Sequence, residues 1–197
     1  MNSPLSWRRA SLSYRFLTLA AVLALTPAQA VFTQSGRPSE YQLKAAFLFN
    51  FTKFIDWPAA GFSSPQAPFS VCILGADSFG RVLDDALAGK TFAGRSIVVR
   101  RCPSPADARD CQILFVSRPE AHNLAEILQA LRGANVLIVG ESEGFAAGGG
   151  AVEFFLQDDR VRFRINPEAA AREGVTISSK LLALAVIVHE GSNNGKS

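Results

Sequence analysis

The chain has 197 residues, 48% of them hydrophobic, with 20 basic against 17 acidic side chains and two histidines. Three of the basic residues and none of the acidic ones fall in the first thirty positions, so the rest is balanced. That balance leaves no lysine- or arginine-rich stripe and excludes the electrostatic footprint of a nucleic-acid binder.

The opening thirty residues read as an export signal: a basic start with Arg8, Arg9 and Arg15, an apolar run over 16–25, and the small-residue exit Ala28-Gln29-Ala30. The apolar run is about half of what a spanning helix needs, which predicts cleavage after Ala30 and a mature protein outside the cytoplasm. A linker over 31–38, one domain over 39–190 and a flexible polar tail over 191–197 are expected. A domain of that size buries a core large enough to fold without staples.

Ser39 and Gln42 form a capping box that opens a helix over 40–56, closed by Trp57-Pro58. At 100° per residue, Leu43, Phe47, Leu48, Phe51, Phe54 and Ile55 share one apolar arc. Lys44 falls inside that arc near the helix start, where its stem predicts a side chain that snorkels past the core edge rather than a buried lysine with an acidic partner. Phe49 lies on the polar side with Ala45 and Lys53, and an exposed aromatic there marks a contact surface.

A Pro/Ser/Gly connector follows, and residues 69–74 read as a buried strand. Asp77 caps a helix to about 87, with Gly89 past its end. Strands over 96–101, 112–116 and 136–139 alternate with a helix over 119–131 that ends at Gly133. Residues 151–156 and 161–165 alternate around Gln157-Asp158-Asp159-Arg160, predicting a hairpin with Phe154 opposite Phe163 and Glu153 opposite Arg164. A short helix over 167–173 and an all-round apolar helix over 179–189 complete the chain. This is an α/β fold, a three-layer sandwich with a mostly parallel, Rossmann-like central sheet and a C-terminal β-hairpin.

Catalytic signatures are missing from this pattern. The turn over 75–80 lacks the Lys-Ser/Thr of a phosphate loop, and Gly148-Gly149-Gly150 reads as a tight connection rather than a ligand cradle. His122 reads as a solvated helix residue and His189 as a helix-end cation, with no nucleophile motif near either. No cofactor and no metal centre are expected, since the three cysteines lack zinc-site spacing. An oxidising compartment predicts one bridge with one cysteine left over, and Cys72, Cys102 and Cys111 allow three pairings.

The segments 41–58, Cys72-Ile73-Leu74-Gly75, 111–117 and 177–182, with Phe163-x-Ile165-Asn166 and Gly148-Gly149 in the same order, resemble the YfiR family over nearly the whole mature domain. The resemblance implies a periplasmic, non-enzymatic repressor that binds the periplasmic sensor region of an inner-membrane diguanylate cyclase and so lowers cyclic di-GMP and biofilm signalling. It also implies a Cys72–Cys111 disulfide, with Cys102 free; a bridge of that span contributes about 3 to 4 kcal/mol by the chain-entropy estimate. The second bridge of some relatives, over 145–152, has no cysteines here. Where relatives carry basic or histidine side chains before the last helix, this chain has Thr176, Ser178 and Ser179.

The family also occurs near sensor kinases and outer-membrane receptors, which adds an outer-membrane-associated protein to the implied partners. The alternative function is a small-ligand sensor acting on a different membrane protein such as a histidine kinase. The expected binding residues are Lys44, Phe49, Lys53, Ser178, Ser179 and Lys180, and an exposed aromatic face is compatible with a homodimer.

Overall fold

A computed structural model describes residues 38–191. The predicted export signal, almost all of the linker and the end of the tail lie outside the described residues. Among the described residues, no helix is long and apolar enough to cross a membrane.

The capping box forms: Ser39 Oγ accepts from Gln42 N–H at 3.2 Å, Ser39 N–H donates to Gln42 Oε1 at 2.7 Å, and helix α1 runs Glu40–Phe54. It stops two residues short of the predicted end because Ile55–Asp56 becomes strand β1. That strand pairs antiparallel with β9, Thr176–Ile177, in a two-stranded sheet of its own. The apolar arc also differs from the expected one. Ala45, Leu48 and Phe51 are fully buried while Leu43, Phe47 and Phe54 are half-buried, because α1 packs against a second helix as well as the sheet.

The main sheet has a buried centre of β2 Phe69–Leu74, β5 Ile113–Val116 and β6 Leu137–Gly140, with the mixed, partly exposed strand β4 Arg95–Cys102 beside β2, all parallel. The second helix, α2 (Arg81–Leu87), follows β2 and covers the α1 face; α3 (Leu124–Leu131) follows β5. Asp77 does not cap α2 directly. Its Oδ1 accepts from Phe79 and Gly80 N–H, closing an Asx turn ahead of the helix. A short strand β3 (Thr91–Phe92), missed in the sequence, pairs antiparallel with β4 around Ala93-Gly94.

Beyond β6 the predicted hairpin forms from β7 (Val152–Gln157) and β8 (Arg160–Ile165). Phe154 pairs with Phe163 and Glu153 with Arg164. Asp158 and Asp159 both take positive φ, the geometry of a type I′ turn. With a last strand β10 (Val186–Ile187), the order across the eight-stranded sheet is β10-β8-β7-β6-β5-β2-β4-β3.

The last predicted helix is a correction. After α4 (Pro167–Arg172), α5 spans only Ser179–Leu182, and Val186–Ile187 forms β10, parallel to β8. The free edge of β8 claims that segment, and an all-apolar run carries no periodicity to distinguish strand from helix. His189 therefore sits past a strand, not at a helix end, with Nδ1 2.9 Å from Glu168 Oε1.

Alternation along β2 splits the interior into two layers. Phe69, Val71 and Ile73 face α1 and α2 with Phe115 and Val139, while Cys72 and Leu74 face α3 with Leu114, Val116 and Ile138. The glycine run has a packing reason: a Cβ on Gly150 would lie 2.2 Å from the Phe145 ring, and one on Gly140 2.5 Å from it. These glycines admit a buried phenyl group between strand end and loop.

Candidate functional site

A cleft of about 490 Å³ opens where the amino end of α1 meets the carboxyl end of β6, the position at which parallel sheets present their sites. Glu141 follows directly on Gly140, the last residue of β6, and its carboxylate is almost wholly buried. One turn of α1 aligns Glu40 and Lys44, and the Lys44 ammonium bonds to both Glu40 and Glu141. Tyr41 donates its hydroxyl to Glu141 at 3.1 Å, and its ring lies 4.6 Å from the Lys44 nitrogen. The solvent-exposed Arg118 reaches Glu141 from the rim, with Nε 3.6 Å from Oε1.

Lys44 is 1% exposed, which overturns the expectation of a snorkelling side chain. Two carboxylates and an aromatic ring compensate a desolvated ammonium at the site, so the stem has no need to reach solvent. An ammonium held in this way is an anchor rather than a nucleophile.

The opposite wall comes from the hairpin. Glu153, 1% exposed, accepts from Ala146 N–H at 3.1 Å and from Arg164 Nη1 at 2.5 Å, and the Arg164 guanidinium stacks 3.9 Å over the Phe155 ring. The cleft thus alternates acidic and basic groups beside an aromatic face. Its described lining residues include no assembled nucleophile and base.

Of the remaining predicted residues, Phe49 lies about 7.5 Å and Lys53 about 13.5 Å from Lys44 along the axis of α1. Phe49 is not the exposed aromatic expected: it is half-buried against the core, Ala45 on the same side is fully buried, and Lys53 Nζ and Lys90 Nζ lie 4.5 Å and 5.5 Å from the Phe49 ring centroid. Ser178 joins the carboxyl end of α1 through its N–H, which donates to Phe54 O at 2.9 Å, and its Oγ caps α5 by accepting from Leu181 N–H. Ser179 and Lys180 project into solvent beside it. The structure therefore brings Lys53 and Ser178–Lys180 to the carboxyl end of α1, and places Lys44 in a separate site.

Tyr41, Arg118 and Glu141 were missed in the sequence. The spacing of Glu40 and Lys44 and the position of Glu141 just after an apolar strand were the available signals. Elsewhere the disulfide forms between Cys72 and Cys111, leaving Cys102 as a buried thiol. Burial pushes that thiol up from its ordinary value. His122 is exposed in a 3-10 turn, Arg118–Asn123, ahead of α3.

A family model described as YfiR/HmsC-like matches residues 41–186. No curated protein matches the chain. Among solved structures, a conserved domain protein from Vibrio cholerae shares 13% identity at a TM-score of 0.53, covering 76% of this chain and 60% of that one. The ABC domain in complex with L-Trp from Streptococcus pneumonia shares 12% identity at a TM-score of 0.43, covering 61% of this chain and 55% of that one. This chain spans less than two thirds of the length of either, and the likeness to the Vibrio cholerae protein is one of fold alone.

Proposed function

We propose that this chain, which belongs to the YfiR/HmsC-like family of regulatory proteins, represses an inner-membrane diguanylate cyclase by binding its periplasmic region and so lowers cyclic di-GMP. The observation that carries the reading is the family match itself, which runs from Tyr41 in α1 to Val186 in β10 and therefore takes in all three layers. Regulation is then a property of the domain as a whole. The surface assigned to the partner is the carboxyl end of α1 with the start of α5, where Lys53, Ser179 and Lys180 are exposed and Phe49 is half-covered.

The test is the cellular level of cyclic di-GMP after deletion of the gene, with the full chain and a chain lacking residues 1–30 restored separately. A rise that only the exported chain reverses supports repression from the periplasm. An unchanged level sinks the cyclase reading.

A second reading has its own observation: the charged cleft at the amino end of α1 has room for a small polar molecule. In that reading the chain is a ligand sensor that passes its state to another membrane protein, such as a histidine kinase. Ligand-dependent stabilisation of the purified domain follows by mass action. A screen of small polar metabolites that leaves the melting temperature of the wild type unmoved speaks against it.

A further inference from the structure

The three cysteines occupy different elements but one place. Cys72 lies in the middle of β2, Cys102 is the last residue of β4, and Cys111 precedes β5. Strand register sets Arg100 opposite Cys72, so Cys102 stands two positions further along the neighbouring strand and on the same face. The loop from β4 to β5 then brings Cys111 back to that face. All three Sγ atoms lie within 4.8 Å of one another, with exposures of 0%, 5% and 1% for Cys72, Cys102 and Cys111. Two of them share a bond and the third is a thiol.

The surroundings distinguish the two bonded sulphurs. Arg100 Nη1 lies 3.9 Å from Cys111 Sγ, and its other terminal nitrogen donates to Asp107 O at 3.2 Å, which fixes the guanidinium there. A cation beside a sulphur lowers the cost of its thiolate and makes it the better leaving group in exchange. The Cys102 thiol is held 3.6 Å from the same Asp107 carbonyl. One short 3-10 turn, Pro105–Ala108, thus holds both the thiol and the cation against the bridge.

We propose that this cluster is an intramolecular thiol–disulfide exchange centre with two bridge isomers. The Cys102 thiol gives up its proton and its sulphur attacks Cys72 Sγ. A Cys72–Cys102 bond forms as the Cys72–Cys111 bond breaks, and the electron pair leaves on Cys111 Sγ beside Arg100, where the proton is finally taken up. One disulfide and one thiol stand on each side of the reaction, so neither an oxidant nor a reductant is consumed. Because β4 ends at Cys102, displacing that strand end closes the new bridge without breaking the ladder inward of it. Exchange releases Cys111 from β2 and transfers the tie to β4. This centre is independent of the partner proposed above, since it concerns the chain's own covalent state.

The sequence provides its own readout, because Arg81, Arg101 and Arg109 separate the three cysteines into different tryptic peptides. The exported, oxidised full chain is incubated between about pH 6 and about pH 9, where thiolate population rises steeply, then quenched in acid, denatured, alkylated and mapped. Label on Cys111 together with a cross-linked Cys72–Cys102 peptide should grow with time and with pH, at the expense of label on Cys102. Arg100→Gln should slow that growth several-fold while leaving the starting Cys72–Cys111 bridge in place. A Cys111→Ser chain, oxidised as a monomer, should form Cys72–Cys102. Label confined to Cys102 in the wild type at every pH, or two free thiols in oxidised Cys111→Ser, overturns the proposal. Equal exchange rates with and without Arg100 overturn the assignment of the leaving sulphur.

Discussion

The two ends of α1 carry lysines nine residues apart in very different circumstances. Lys44 is locked between Glu40, Glu141 and the ring of Tyr41, at 1% exposure. Lys53 lies across the Phe49 ring at the surface, and its hydrogen bond to Asn50, at 3.4 Å, is long. The same residue type on the same helix is thus a structural and cleft-forming group at one end and an available cation at the other. What separates them is the element that arrives opposite: the end of β6 with its carboxylate in one case, and the short α5 in the other.

The largest expected effect breaks the buried end. Lys44→Met leaves the Glu141 carboxylate without its ammonium in the interior and should cost about 3–5 kcal/mol, read as a lower urea midpoint. Pairing it with Glu141→Leu should recover most of that loss, and a double variant as unstable as the single one would place the cost in packing instead.

Phe49→Glu comes next, at about 1–2 kcal/mol, because the ring packs partly against the core. The domain should stay folded by near-ultraviolet circular dichroism while cyclic di-GMP rises in cells. Normal repression by that variant removes Phe49 from the contact.

Lys180→Glu should change stability by no more than about 0.5 kcal/mol, since the residue is exposed. Its expected effect is on repression alone, which makes it the sharper probe of the open end. A variant that represses like the wild type moves the partner surface away from α5.

A surface pair serves as a reference for the buried one. Arg101 bonds to Asp84 at 2.5 Å with both side chains some 40% exposed or more, and holds the Asp84 carboxyl below its usual value. A depressed folded-state value means that the contribution is present above the unfolded carboxylate value and fades as the pH falls through it. Arg101→Gln should therefore cost less than about 1 kcal/mol at neutral pH, discounted for screening, and nothing in strong acid. A pH-independent loss would assign the effect to packing of the arginine stem.

Three features read by local pattern were placed correctly. The capping box at Ser39 and Gln42, the strand at Phe69–Leu74 and the hairpin register of Phe154 with Phe163 all follow from spacing within a few residues. Those signals are intrinsic to the chain, because a helix start needs one cap, and a two-residue turn with two left-handed aspartates admits one register. The Cys72–Cys111 pairing came from family resemblance, since spacing left three pairings open.

The sequence by itself therefore determined the central strands, the hairpin turn, the α/β class and the family. Tertiary structure alone decided that Lys44 is buried, because its partner Glu141 stands 97 residues away. It also decided that the apolar end of the chain becomes a strand, because the open edge of β8 offers hydrogen bonds that an isolated segment lacks. And it gathered three cysteines within 4.8 Å from three separate elements. In each case the deciding term is a contact between residues far apart in the chain, and such a contact leaves no periodicity for a local pattern to record.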